Sequence, residues 1–142
     1  MTNYVTISHN FFFTTLRSGT IAANAKDATN GKGTDSEVQY EPMNTGSTIV
    51  NKDGSTRRPP QVGLGHELGH ARENANGTGT AVNYNDPKSI QAGTKIVIDP
   101  DDKNPTKRSY MSNEEIKVRN KVENPIREEQ NAKKRASVQI VN

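Results

Sequence analysis

His66-Glu67-Leu68-Gly69-His70 sets two imidazoles four residues apart. On a helix, residues at that spacing lie one above the other on the same face, so both rings can be aimed at one ion. His-Glu-x-x-His is the spacing at which a helix binds zinc through its two histidines, here one Zn2+ per chain. Glu67 stands about 100° round the helix from His66, beside the metal without having to ligate it. From there it can hydrogen-bond a zinc-bound water whose pKa the metal brings toward neutrality. It can take that water's proton as it attacks a carbonyl and pass it to the leaving amine. The chemistry implied is hydrolysis of a peptide bond, with His66 and His70 as ligands and Glu67 as general base. The chain has only three His, and two of them are in this motif.

Catalytic zinc commonly has three protein ligands and a water. No His follows His70 and the chain has no Cys, so the third ligand must be an acid. A metzincin, which needs a third His downstream, is excluded. Glu73 lies three residues beyond His70 on the same helix, and one helix rarely supplies all three ligands. A second helix offers better. Its apolar residues Val118, Val122 and Ile126 recur every four positions and define an inward stripe. Glu115 falls in the middle of that stripe, where a carboxylate is costly unless paired or bound to metal. Glu115 is therefore the expected third ligand. Its competing role is a capping box with Ser112, and Glu123, two turns on, is the rival ligand. Glu114 points about 100° away from Glu115, toward solvent, and is kept with Glu123 and Arg127 as a candidate to orient a ligand His or to ligate in place of Glu115. Glu123 and Arg127 are spaced as an i,i+4 pair. That spacing suits a surface ion pair and, equally, a pair that orients a ligand His. Tyr110, just before this helix, is a candidate helper for the oxyanion.

The elements that must position these groups can be read in outline. Tyr4 to Ser8 alternates and is β-branched, as a strand does, and Phe11 to Leu16 continues or pairs with it. Ser18 to Ser36 reads as loop. Glu37 to Tyr40 reads as a second strand, stopped by Pro42. Ser47 to Val50 reads as a third, closed by the turn Asn51-Lys52-Asp53-Gly54. The motif helix is expected from about Pro60, a residue tolerated in the first turn, to about Asn74, with Asn76-Gly77 as its stop. Leu64, Leu68 and Ala71 are free to pack. The glycines at 63, 65 and 69 each cost about 1 kcal/mol relative to Ala, so they predict a helix against which something packs closely. Gly77 to Pro87 reads as loop, Thr94 to Ile98 as a strand, and Asp101 to Tyr110 as connection. Ser112 caps the second helix, which runs to about Lys134. Ala136 to Val141 reads as a terminal strand.

The 142 residues suit one domain, with 1–44 as N-terminal strands and loops and 45–135 as the catalytic core. Only 30% of the residues are hydrophobic, so there is little apolar core to build and a bound metal can supply part of the stability. Absence of Cys excludes disulfides, cysteine-based zinc fingers and a cysteine nucleophile. No run is long enough to span a membrane, and the start lacks the basic head and apolar run of a Sec signal peptide. The net charge of +3 is mild and mixed. The cluster Lys133-Lys134-Arg135 has no interleaved aromatics and reads as a solvated helix end, so no nucleic-acid partner is expected.

Gly65 to Arg72, the acid pair Glu114-Glu115, and Glu123-Asn124-Pro125-Ile126-Arg127-Glu128-Glu129 together resemble the secreted bacterial effector zinc metallopeptidases. These occur as type III-delivered effectors and as the toxin tips of Rhs-type proteins. Ser47 to Val50, with Asp53-Gly54 and a Pro before the helix, also resembles that pattern, so the likeness covers roughly residues 45–130. It implies a small zincin-like α+β fold, with the motif helix under a short, mostly antiparallel sheet. It implies an edge strand at Thr48-Ile49-Val50 along which an extended peptide pairs. It implies a protein or peptide substrate in the target-cell cytoplasm, a cognate immunity protein, and delivery by a specialised secretion system or as a toxin tip. The chain is expected to act as a monomer.

Two other functions compete with the peptidase. A non-catalytic, zinc-stabilised binding domain would keep His66, His70 and Glu115 and be indifferent to Glu67→Gln. A nucleic-acid module using the basic C-terminal end would bind unrelated DNA or RNA with strong salt dependence.

Overall fold

The computed structural model describes residues 2–9, 18–104 and 106–142, so the expected continuation over Phe11 to Leu16 lies outside the described residues. The architecture is α+β. Strand β1 (Val5–His9) pairs in parallel with β3 (Ser36–Tyr40), and β2 (Gly19–Ala22) pairs antiparallel with the other side of β3, giving the order β1-β3-β2. A second sheet has the order β5-β4-β6, all antiparallel, from β4 (Thr94–Ile98), β5 (Arg108–Ser112) and β6 (Gln139–Ile140).

Helix α1 (Pro60–Asn76) lies between the first sheet and the C-terminal helical segment. Its start needs no backbone donor from Pro60. Its end is fixed by Gly77, whose φ of 69° is left-handed and whose N–H bonds the carbonyls of Asn74 and Glu73. The opposing segment comprises α3 (Asn113–Val118), a π-helical turn (Arg119–Glu123) and α4 (Asn124–Glu129). The short helix α2 (Pro87–Gly93) leads into β4. Among the described residues, no helix is long and apolar enough to cross a membrane.

Two glycines of α1 account for the close approach of the helices. A Cβ on Gly65 would stand 2.5 Å from Ile126 Cδ1, and one on Gly69 would stand 3.1–3.2 Å from Val118 and Val122 methyls. The packing expected from the sequence is therefore found, and with the residues of the apolar stripe. Ala71 is buried, whereas Leu68 is exposed and not part of the core.

Several expectations need correction. Residues 47–50 do not form a strand. Ile49 N–H closes a turn on the Gly46 carbonyl, Val50 N–H is taken by Asp101 Oδ1, and the segment keeps only single bridges, Val50 to Thr56 and Asn51 to Arg135. Strand β2, one of the two edges of the first sheet, lies inside a stretch read as loop, and β5 begins inside an expected connection. The second helix ends at Glu129, so Lys133-Lys134-Arg135 is not a helix end. Arg135 turns inward and is 5% exposed.

The interior is small and polar. Its apolar part is built largely of Val38, Val62, Val97 and Val118, yet the two largest fully buried side chains are Arg127 and Glu123.

Candidate metal centre

The centre is assembled where α1 faces the C-terminal helices. Ser112 Oγ accepts the Glu115 N–H, which starts α3 and fixes both acids of its first turn. Glu115 makes only this half of the expected capping box, because its carboxylate is engaged elsewhere. Pro125 has no N–H to give the carbonyl of Lys121. The helix accommodates this with the π turn just before it, in which Asn124 N–H reaches back to Arg119 O. In a regular helix, residues eight apart are rotated about 80° from alignment. The wider turn takes back much of that offset, and Glu115 and Glu123 both reach His66.

His66 Nε2 and His70 Nε2 are 3.2 Å apart, and Glu115 Oε2 is 3.2 Å from the first and 3.0 Å from the second. These three residues form a group that could hold a metal ion. Each His has its other nitrogen on a different carboxylate. His66 Nδ1 donates to Glu123 Oε2 at 2.7 Å, and His70 Nδ1 to Glu114 Oε1 at 2.6 Å. A carboxylate only accepts, so each Nδ1 carries a proton, and each Nε2 would offer its lone pair to a bound cation. Two imidazole nitrogens and one carboxylate oxygen thus converge, an arrangement that suits a cation. Tetrahedral zinc at about 2.0–2.1 Å from nitrogen would space its donors about 3.3 Å apart, close to what is seen. The donor set fits the ion.

Glu123 is not in this group; it lies on the outer nitrogen of His66. Besides His66 it accepts from Arg58 Nη1 (2.8 Å), Arg127 Nε (3.0 Å) and Nη2 (2.8 Å), and Arg135 Nη1 (2.8 Å). Arg127 in turn donates to Asn51 Oδ1 and the Lys133 carbonyl. Of the two roles the sequence left open for Glu123 and Arg127, their full burial and the contact with His66 match the orienting one. Glu114 does not face solvent as expected. It closes on His70, and its Oε2 accepts the Thr80 N–H at 2.5 Å. Glu115 Oε1 accepts from Arg119 Nε at 2.7 Å, and Arg119 is held by Asp99.

The charge states follow from these contacts. Burial pushes the Glu115 carboxyl up, but its bonds to His66 and His70 and the charge of Arg119 more than reverse this, leaving it well below the usual carboxylate range. Glu123 is likewise lowered: His66, Arg135 and Arg58 outweigh its desolvation. Burial works against the charged form of His70, yet its bonds to Glu114 and Glu115 raise it to about 10. His66 is raised too, by Glu115 and Glu123 against its burial. In the metal-free chain, protons therefore take the place of the cation.

Glu67 is outside this group. Its Oε2 accepts from Thr20 Oγ1 at 2.8 Å, a hydroxyl that lies 2.9 Å from the Glu67 carbonyl as well. Thr20 belongs to β2, an edge of the first sheet. Glu67, His70 and Glu114 line a cavity of about 320 Å³ together with Thr20, Asn74 and Thr80. Tyr110 is not brought to it. It pairs with Ile96 on the second sheet and lines a separate depression with Arg108. Residues 48–50 are not among the lining residues either.

Arg58, Arg135, Arg119, Asp99 and Thr20 were not singled out from the sequence. They lie on loops, on strand β2 or in the π turn, without a periodic pattern. The exception with a signal is Arg119, four residues after Glu115 and so placed for an i,i+4 pair.

A model of the Peptidase_M91 family, described as effector protein, matches residues 2–137 of the chain. No curated protein matches it, and no solved structure does.

Proposed function

The chain belongs to the Peptidase_M91 family of effector proteins, and from that premise we propose that it is a zinc-dependent endopeptidase, delivered as a secreted effector or toxin, that cuts a protein of the target cell. The observation that carries this reading is the pair of buried carboxylates behind the histidines. Glu123 and Glu114 fix both rings so that two Nε2 lone pairs and Glu115 Oε2 converge. A zinc ion held there by His66, His70 and Glu115 supplies Lewis acidity and brings a water's pKa toward neutrality.

The rest is work for the chain's own residues. Thr20 holds Glu67 Oε2, which leaves Oε1 to take the proton from the attacking water and return it to the leaving amine. The edge along which an extended substrate pairs is β2, in place of residues 48–50, because β2 is at the sheet's margin and touches Glu67. A cognate immunity protein would act by covering this edge.

Elemental analysis of the purified chain beside His66→Ala, Glu115→Ala and Glu67→Gln tests the reading. One zinc per chain is expected in the parent and in Glu67→Gln, with loss in the other two. Cleavage of an unstructured protein such as casein should vanish in Glu67→Gln. Zinc without any cleavage, and the same stability in Glu67→Gln, would leave the non-catalytic binding domain. No zinc in the parent after reconstitution would end the enzyme reading.

A further inference from the structure

Next to the metal ligands, the cavity of about 320 Å³ has walls of unusual chemistry. Ala22 is the one apolar residue among those that line it, and no Lys or Arg does. Besides His70 of the candidate metal group, the polar side chains that meet it are two carboxylates, two hydroxyls and one carboxamide. Glu67 Oε1 has no hydrogen-bond partner among the described residues, its Oε2 being held by Thr20. The Thr80 hydroxyl has none either, since the Thr80 bond to Glu114 uses the backbone N–H.

Asn74 is the most telling. It is 9% exposed, and its Nδ2 donates to Ser36 Oγ at 3.0 Å, which orients the amide and leaves Oδ1 without a donor. A Cβ built on Gly79 would lie 3.1 Å from that Oδ1 and 3.2 Å from Glu114 Oε2, so the two oxygens border the same glycine. Asn74 Oδ1, Glu67 Oε1 and the Thr80 hydroxyl are thus open to the donors of an occupant. Two carboxylates in the wall disfavour an acidic side chain, and an aliphatic one would supply no donor to these groups.

We propose that this cavity is a substrate subsite that takes a basic side chain, Lys or Arg, flanking the cleaved bond. The inference rests on the endopeptidase reading, since it assigns to the cavity a residue of the peptide laid along β2. The occupant's donors meet Asn74 Oδ1, the Thr80 hydroxyl and the Glu114 carboxylate.

Internally quenched peptides carrying Lys, its uncharged isostere norleucine, Glu or Ala at each position around a cleaved bond provide the test. At one flanking position, kcat/KM should be at least tenfold higher for Lys than for norleucine, and lowest for Glu. Thr80→Val, which keeps the backbone N–H, should cut the Lys-to-norleucine ratio at least threefold. That ratio is taken within one preparation, so the folded fraction cancels. A turnover-free arm uses isotopically labelled protein. N-acetyl-lysine methylamide should shift the Asn74 and Thr80 amide resonances, and the norleucine analogue should not. Cleavage of the Ala peptide with norleucine equal to Lys, or equal shifts from both analogues, would overturn the subsite while leaving the peptidase standing. Failure to cut any of the peptides, with no shift from either analogue, would overturn both.

Discussion

Replacing Glu123 by Gln separates the two tasks that the buried carboxylate performs. The amide has nearly the same shape, so packing is not at issue. What changes is charge. Glu123 is fully buried and accepts five bonds, four of them from Arg58, Arg127 and Arg135. Those arginines are nearly as buried, with side-chain exposures of 8%, 1% and 6%. Neutralising the anion leaves three cations facing an amide that can accept at only one atom. Removing one partner of a buried pair costs about 3–5 kcal/mol, a large share of the roughly 5–15 kcal/mol that a domain has. The second loss is at His66, whose Nδ1 would no longer face a carboxylate. Losing such a partner lowers metal affinity about 10–100-fold. Glu114→Gln is the control. Glu114 meets only His70 Nδ1 and the Thr80 N–H, so it should cost about 1–3 kcal/mol while weakening metal to the same degree. Urea unfolding of the metal-free proteins reads the first quantity, and competition with a chromophoric chelator for zinc reads the second. If Glu123→Gln lost less than about 1 kcal/mol and bound zinc as tightly as the parent, the clamp would be refuted.

Two further outcomes follow from the same geometry. Thr20→Val removes the hydroxyl that holds Glu67 Oε2; a hydrogen bond to a charged group is worth about 1.5–3 kcal/mol, so kcat on a peptide substrate should fall about tenfold or more, with zinc content unchanged and Thr20→Ser close to the parent. A loss of zinc in Thr20→Val would instead mean that the threonine acts on the fold of the centre. In EDTA, the chain should melt highest between pH 4.5 and 6.5. Glu115 and Glu123 have folded pKa values below their ordinary 4.5, so their contribution is complete above that pH and is lost as pH falls. His70 is raised from 6.5 to about 10, so its contribution is complete below 6.5 and is lost as pH rises toward 10. A melting temperature that climbs steadily from pH 6.5 to 10 in EDTA would contradict the proton-filled centre.

The convergence of His66 and His70 was legible because a helix repeats every 3.6 residues, and that of Glu115 because it interrupts an apolar stripe. Glu114 was misplaced for an instructive reason. Its direction on the helix was read correctly, but the space in that direction is not water. Gly65 and Gly69 bring α1 so close that a residue one step off the stripe meets His70. Residues 48–50 failed through propensity. They are β-branched, yet Asp101 captures the Val50 N–H that a ladder would use. Strand β2 failed in the opposite way. Gly19-Thr20-Ile21-Ala22 is four residues long, and Thr20 faces the helix although it is polar, so no alternation of apolar residues announces it. The arginines Arg58 and Arg135 sit 65 and 12 residues from Glu123. No local rule connects residues on loops that meet only in three dimensions.

That network is also the reason for so polar an interior in a chain with few apolar residues. A buried ion cluster is a poor source of stability, since well-packed apolar groups of the same volume often do as well or better. Stability alone would not retain Arg127 and Glu123 at the centre. An apolar residue at position 123, however, cannot hold the proton on His66 Nδ1. Nor could a lone carboxylate in the same dry place, because desolvation would protonate it and turn an acceptor into a donor. His66 and the guanidinium groups of Arg135 and Arg58 keep Glu123 ionised against its desolvation, and Arg127 donates to it twice. Its ionised state keeps a proton on the far nitrogen of His66, so that Nε2 is the nitrogen that faces His70 and Glu115. Arg58, Arg127 and Arg135 thus act on the candidate metal centre without touching it, through one carboxylate, and the polar core is the structural consequence of holding that single charge out of water.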